Sequence, residues 1–247
     1  MDENDYKAIK VSIITVCYNS ETTIQRTIQS VLAQTYPNIE YIIVDGKSSD
    51  NTVEIIKANE PSFNGRMKWI SESDCGIYDA MNKGIAMSSG ELIGIINSDD
   101  YYENDAVEMI VSAMVDTPYQ ILYGCMRTLS RGKEISVLFN SHENLDKEMI
   151  AHPTCFVTKK VYEDFGVFNL RYISAADYDF MLRMKQNNEV RFIPVHEIIA
   201  NFSLGGMCAS HWAYLDLLLL KKDYGMLTKR EYLVAKFKAK IAHRFKR

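Results

Sequence analysis

The chain has 247 residues, 47% hydrophobic and 24% charged, the balance of a folded globular protein rather than a disordered or fibrous one. That length suits one large α/β domain or two small ones, with a core that needs no disulfide or structural metal. The net charge of −4 argues against a general nucleic-acid binder, but it is unevenly spread. From Lys221 to Arg247 there are 10 Lys/Arg against Asp223 and Glu231, a balance of +8. The preceding 220 residues carry 18 basic and 30 acidic side chains, a balance of −12.

The segment Met1–Asp5 holds three acidic residues, the wrong sign for a secretory or transit peptide. No apolar stretch approaches the ~20 residues that span a bilayer. The longest, around Leu215 to Leu220, is broken by Asp216 and Lys221. The expectation is a cytoplasmic protein, free or on the inner face of the membrane. The five cysteines are scattered and form no CxxC pair, so reduced thiols are expected. Cys17 is read as packing.

The first hundred residues alternate strand and helix. Val11–Val16 is a β-branched run suited to a strand buried on both faces. Ser20 is placed to cap a helix carrying Ile24, Ile28, Val31 and Leu32 at helical spacing, with Pro37 beyond its end. Tyr41–Val44 predicts a second strand, followed by a turn at Gly46–Asp50 and a short helix near Val53–Ala58. Lys68–Ile70 predicts a third strand, Ile77–Met87 a helix, and Leu92–Ile96 a fourth strand. This order implies a mostly parallel sheet with helices on both faces. The second half is less regular. A helix is predicted over Val107–Val115, strands over Ile121–Tyr123 and Glu134–Leu138, and a helix over Ala176–Lys185. A strand near Glu197–Phe202 leads to Gly205 and Gly206, then to helices over Ala209–Tyr224 and Lys229–Phe245. The expected organisation is one compact domain over 1–208, in two halves at about 9–100 and about 101–208. A basic helical extension follows over 209–247.

In an open parallel sheet, ligands bind beyond the carboxyl ends of the strands. The first strand delivers Tyr18 and Asn19, the second Asp45 and Gly46, and the third leads into Glu72 and Asp74. The fourth delivers Asn97, Ser98, Asp99 and Asp100. Each is open singly to a structural reading, as a turn or a cap. Together, at successive strand ends, they make one acidic rim. Two adjacent carboxylates call for an offsetting cation, and a hard divalent ion such as Mn²⁺ or Mg²⁺ fits carboxylate plus phosphate oxygens. Adjacent side chains in extended chain point to opposite sides. Asp100 is assigned to the metal and Asp99 to the sugar. Tyr18 can stack on a base and Asp45 can accept from a base imide. Neither G-x-G-x-x-G nor G-x-x-x-x-G-K-[ST] is present, which disfavours dinucleotide dehydrogenases and P-loop kinases.

The runs VSIITVCYNSETTIQRTIQSVLAQTYPNIEYIIVDGKSSDNT and SDCGIYDAMNKGIAMSSGELIGIINSDD resemble family 2 inverting glycosyltransferases of the GT-A fold. The resemblance is dense over residues 11–100 and thinner to about 206. It implies a nucleotide-diphospho-sugar donor, a UDP-sugar by the base-binding pattern, a divalent metal, and inversion at the anomeric carbon. It places Val16, Tyr18 and Asn19 beside the nucleoside and Asp45 on a uracil-type base. Asp79, Asn82 and Lys83 fall in the region lining ribose and phosphates. Asp99 and Asp100 match the DxD-equivalent motif, and Ser98 before them is expected on the donor. Gly46 stands where many members have a second Asp. Asp177 matches the catalytic base. Helical spacing agrees, since Asp177 shares a face with Phe180, Met181 and Met184, whereas Asp179 can pair with Arg183. A helix N-terminus also favours the ionised form that a general base needs.

His152 matches a position on the acceptor side. Asn201–Gly206 matches a segment leading into a loop over the donor, with Gly205 and Gly206 suited to a hinge. His196 and His211 form no zinc spacing with His152. In the tail, Leu227, Tyr232, Leu233, Phe237, Ile241 and Phe245 recur at helical spacing among Lys236, Lys238, Lys240 and Arg244. Such a helix can lie on an anionic membrane, or pack on the domain with its lysines solvated. The acceptor is expected to be a saccharide or lipid-linked saccharide, as in surface polysaccharide synthesis. Homo-oligomerisation is left open. A nucleotidyltransferase and a non-catalytic nucleotide-sugar binder are the competing readings.

Overall fold

Strand β1 (Val11–Cys17) and strand β2 (Ile39–Asp45) are buried at every position, as their β-branched composition requires. With β3 (Met67–Ser71) and β4 (Leu92–Ile95) they form a parallel half-sheet in the order β3-β2-β1-β4. A computed structural model describes residues 9–204 and 211–245. Helices α1 (Ile24–Leu32) and α2 (Thr52–Asn59) cover one face. There Ile24, Ile28 and Ile56 join Ile13, Tyr41 and Ile43 in one core. Helix α3 (Ile77–Met87) covers the other face, where Tyr78, Met81 and Ile85 join Ile14, Ile42 and Val44. The helix lies so close that a Cβ on Gly84 would stand 2.5 Å from Ile14 Cγ2. Ser20 does not cap α1 by its side chain. Its carbonyl accepts from the Thr23 and Ile24 amides, and its hydroxyl is shared with Ser98 at 2.8 Å.

The second half adds β5 (Tyr101–Tyr102), α4 (Ala106–Ser112), β6 (Gln120–Ser130), β7 (Lys133–Leu138), β8 (Phe156–Thr158), α5 (Lys159–Phe165), α6 (Ala176–Lys185) and β9 (Arg191–Ser203). The sheet continues as β4-β8-β6-β9-β5, with β7 paired to β6. The short β8 runs antiparallel to both β4 and β6, so the sheet is mixed beyond β4. Strand β8 and helix α5 carry no usable period in sequence, because three buried residues are too few to alternate. Strand β9 is 13 residues long, more than twice the predicted stretch, because its first half lies beside β6 despite Pro194, His196 and Glu197. Register shifts around Cys125 bend the β6–β9 pair. Beyond the bend, Asn201 pairs with Tyr101, which returns Phe202 and Ser203 to the end of β4.

Helix α7 (His211–Asp223) and helix α8 (Lys229–Phe245) follow. Helix α7 is tied to the preceding fold. Asp216 accepts from the Ser174 amide at 2.8 Å, and Leu220 is fully buried in the α3-side core. No helix among the described residues is long and apolar enough to cross a membrane. Residues 205–210, with the expected Gly205–Gly206 hinge, lie outside the described residues.

Below the opposite, amino-terminal ends of the strands sits Glu40, buried and heavily bonded. It accepts from Ser12 Oγ at 2.6 Å, Ser89 Oγ at 2.7 Å and the Gly90 amide at 3.1 Å, with Lys10 Nζ at 3.0 Å. Burial alone would raise its carboxyl, but these bonds hold it well below the usual value of 4.5. Replacing it strands several buried donors, so Glu40→Ala is expected to cost about 3 kcal/mol. A depressed carboxyl stabilises the fold fully above its unfolded value and loses that contribution as pH falls through its folded value. The gap in urea midpoint between wild type and variant should therefore shrink from neutral pH toward about pH 3.

Candidate active site

The carboxyl ends of β1 and β4 open onto a cavity of about 430 Å³. Val16, Tyr18 and Asn19 line it from β1, and Asn97, Ser98 and Asp99 from the turn after β4. Tyr18 is 65% exposed, which leaves its ring face free for a planar ligand. Asn19 adopts φ 49°, a left-handed conformation that asparagine tolerates. That turn aims its amide at Ser48 Oγ, 2.8 Å away, while its Oδ1 accepts from the Ser49 amide at 2.8 Å. The loops after β1 and β2 are thereby sewn together. Phe202, returned by the bend in β9, closes one side.

Two residues expected on the rim, Asp45 and Asp100, lie behind the cavity wall. Asp45 has no exposed surface and does not line the cavity. Its carboxylate accepts from the Ser48 amide at 3.0 Å, from Ser71 Oγ at 2.6 Å and from Ser48 Oγ. A left-handed Lys47 folds the turn back over it, so Asp45 braces the loop that Asn19 grips. Asp100 is also fully buried. The β4 turn bonds the Asp100 amide to the Asn97 carbonyl, which sends Asp100 inward, away from the expected metal position, and leaves Asp99 on the cavity wall, the substrate side expected of it. Asp100 Oδ1 accepts from the Ser203 amide at 2.9 Å, and Oδ2 has no partner. Burial, then the charge of Asp99, push its carboxyl up to about 8.

The three residues expected to line the donor on α3 make bonds within the protein. The Asn82 side-chain amide clamps the Phe168 backbone, donating to its carbonyl at 2.9 Å and accepting from its amide at 3.0 Å. Lys83 pairs with Glu72 at 2.8 Å and donates to the Ser73 carbonyl. Asp79 accepts from the Cys75 amide at 2.9 Å. Lys83 and Asp79 shape the loop before α3 and Asn82 holds the loop after α5, whereas Gly76, Ile77 and Ala80 line the cavity. Asp74 lines it as well, a strand-end carboxylate visible in sequence but given no role there. Its Oδ2 lies 2.6 Å from where a Cβ on Gly46 would stand, with the Tyr18 ring at 3.4 Å. The glycine at that position makes room for Asp74. Arg26, unsignalled in sequence, donates to the Asp99 carbonyl at 2.7 Å and to Ser203 Oγ at 2.8 Å.

Asp177 lies in the first turn of α6 and is not part of the cavity wall. Tyr78 of α3 donates its hydroxyl to Asp177 Oδ1 at 2.7 Å, one residue from the cavity-lining Ile77. His152 stands near enough to feel the Asp177 charge. Burial lowers its pKa and Asp177 partly opposes that, so the imidazole is favoured neutral. Asp179 pairs with Arg183 at 2.9 Å as expected, but it is only 4% exposed and also accepts from Tyr224 at 2.9 Å. The turn after α7 covers it, so both sides of α6 are buried.

Among the described residues no three His, Cys, Asp or Glu converge to hold a metal unaided. Asp99 on the wall nevertheless suits an ion of the Mg²⁺ class, which binds through one or two carboxylates and takes its other ligands from phosphate and water. The partnerless buried Asn97 Oδ1 beside it leaves one more hard oxygen at the same turn.

Comparison with known proteins agrees with this architecture. Residues 12–135 match the family described as Glycosyl transferase family 2. An uncharacterized glycosyltransferase of Mycobacterium tuberculosis is 35% identical over 180 residues, 70% of this chain and 68% of that one. The S. aureus TarS 1-349 structure in complex with UDP-GlcNAc superposes with a TM-score of 0.69 at 19% identity, over 86% of this chain and 65% of that one. A mannosyltransferase from Pyrobaculum calidifontis, in complex with GDP-Man and Mn2+, superposes at 0.64 with 15% identity, over 85% of this chain and 61% of that one. The parallel half-sheet, the strand-end cavity and the family match agree: this chain belongs to glycosyl transferase family 2 and is a glycosyltransferase with the GT-A fold.

Proposed function

We propose that the enzyme moves a sugar from a nucleoside-diphosphate sugar, a UDP-sugar, to an acceptor hydroxyl in one inverting displacement. The observation that carries this reading is the division of labour between two carboxylates. Asp99 lies in the nucleotide cavity, and Asp177 stands apart from it, held by Tyr78 across α3. Tyr18 stacks on the base, and Asn97 and Ser98 contact the sugar-phosphate portion. A Mn²⁺ or Mg²⁺ ion held at Asp99 would offset the charge that grows on the leaving diphosphate. Asp177 takes the proton of the attacking hydroxyl, and Tyr78 fixes the orientation of its carboxylate. Neutral His152 borders the acceptor. A single displacement inverts the anomeric centre and needs no covalent intermediate. The acceptor is a saccharide or lipid-linked saccharide made into surface polysaccharide, and the chain works in the cytoplasm. The relatives that bind UDP-GlcNAc, or GDP-Man with Mn2+, support the donor class and the metal. Family membership sets the nucleotidyltransferase reading aside.

The test is a panel of nucleotide sugars with Mn²⁺, read by released nucleoside diphosphate. UDP release from at least one UDP-sugar is expected. Release from none, with no thermal stabilisation by UDP, would remove the reading. Within it, Tyr18→Ala should weaken UDP binding about tenfold through lost stacking, measured by calorimetry. Unchanged affinity would detach Tyr18 from the base.

A further inference from the structure

Helix α8 turns its apolar side away from the protein. Leu233, Val234 and Phe237 are 54%, 48% and 66% exposed, and they lie at i, i+1 and i+4. The side that meets α7 is made instead by Tyr232, Ala235 and Ala239, with Lys222 and Lys236 over the Tyr232 ring. The orientation is built in. Gly225 at φ 70° turns the chain after α7. A capping box then starts α8, Thr228 Oγ accepting from the Glu231 amide at 3.2 Å while the Glu231 carboxylate accepts from the Thr228 amide at 2.8 Å. That carboxylate, the only one on α8, is thus spent on the cap. Exposed Lys229, Arg230 and Lys238 flank the apolar stripe. Val234 and Lys238 also line an open groove of about 830 Å³ against Tyr214 of α7.

An apolar stripe edged by cations of one sign fits an anionic lipid surface. A second copy of the same face would set Lys229, Arg230 and Lys238 against their own equivalents, an unfavourable isologous contact. A second feature points the same way. Leu170 and Ile173, 49% and 67% exposed, form an apolar rim in the loop that leads to Asp177. That loop is tied to α7 through Arg171–Asp223 at 2.8 Å and Ser174–Asp216. We propose that α8 docks the enzyme on an anionic lipid bilayer, with Leu233, Val234 and Phe237 in the headgroup–acyl boundary, so that the Asp177 side faces an acceptor carried in that lipid. The acceptor clause rests on the glycosyl-transfer reading above; the docking clause does not.

The experiment is flotation of the full chain with phosphatidylcholine vesicles, alone or mixed at about three to one with phosphatidylglycerol. UDP-induced thermal shift is read in parallel. Wild type should float with the anionic vesicles, remain behind with the neutral ones, and release as salt rises. The pair Arg230→Glu and Lys238→Glu should weaken binding about 100-fold. Leu233→Glu with Phe237→Glu should abolish it, and both double variants should keep the UDP shift. Equal binding to neutral vesicles, or none to anionic ones, would overturn the docking. A dimer in sedimentation equilibrium that Leu233→Glu dissolves would assign the stripe to a second copy and overturn it too. Vesicle binding without a UDP shift would count against the glycosyl-transfer reading alone.

Discussion

Asp177→Asn is expected to lower sugar transfer by about 10²–10⁴-fold, the usual worth of a positioned general base, and to leave UDP affinity within about threefold. Asparagine keeps the volume and an oxygen that can accept from Tyr78, so the fold of α6 should survive. What disappears is a group able to take the acceptor proton. His152 feels the Asp177 charge and burial keeps it neutral, but its ring is packed edge-on against Phe168. Asp179 cannot take over because Arg183 and Tyr224 occupy its oxygens beneath the α7 turn. Donor hydrolysis and transfer measured on one preparation decide the matter. Retained transfer would dismiss Asp177, and lost UDP binding would show that its role is structural.

The second large effect separates two neighbours. Asp99→Ala should weaken Mn²⁺-dependent UDP binding by about 100-fold, because it removes the one carboxylate that the β4 turn presents to the cavity. Asp100→Asn should change it by less than about threefold. With its carboxyl pushed up to about 8, Asp100 is mostly protonated at neutral pH, and asparagine mimics that form in size and neutrality. Calorimetric titration of UDP with and without Mn²⁺ reads both. The opposite ranking would restore the metal to Asp100 and require the turn to rotate on binding.

The first four strands and their helices are legible in the sequence. The runs that became β1 and β2 are buried on both faces, and such strands announce themselves by composition alone. The rim at the strand ends followed from topology. Side-chain direction did not follow. Whether Asp99 or Asp100 faces the cavity depends on one turn hydrogen bond, and alternation allows both answers. Asp45, Asn82 and Lys83 read in sequence as donor contacts and in the fold hold backbone loops, because a polar residue near a site reads the same in sequence whether it grips a ligand or the chain beside it. Arg26 gave no signal, since its partners lie 73 and 177 residues away. Strand β8 was invisible for want of length.

The position of β9 bears on how the molecule is assembled. This last strand does not add to an edge: it lies between β6 and β5, both made some seventy or more residues earlier. A chain emerging from the ribosome can complete β1 to β4 by residue 95, but the β4 edge is covered only when Phe156–Thr158 arrive. Two facing edges then wait for Arg191–Ser203. Pairing over such separations is slow, and open strand edges invite association with other chains. Chains halted before residue 191 should therefore bear an adhesive, half-closed sheet, and the ligand cavity, which borrows Phe202 for a wall, is finished only at the end of synthesis of the domain.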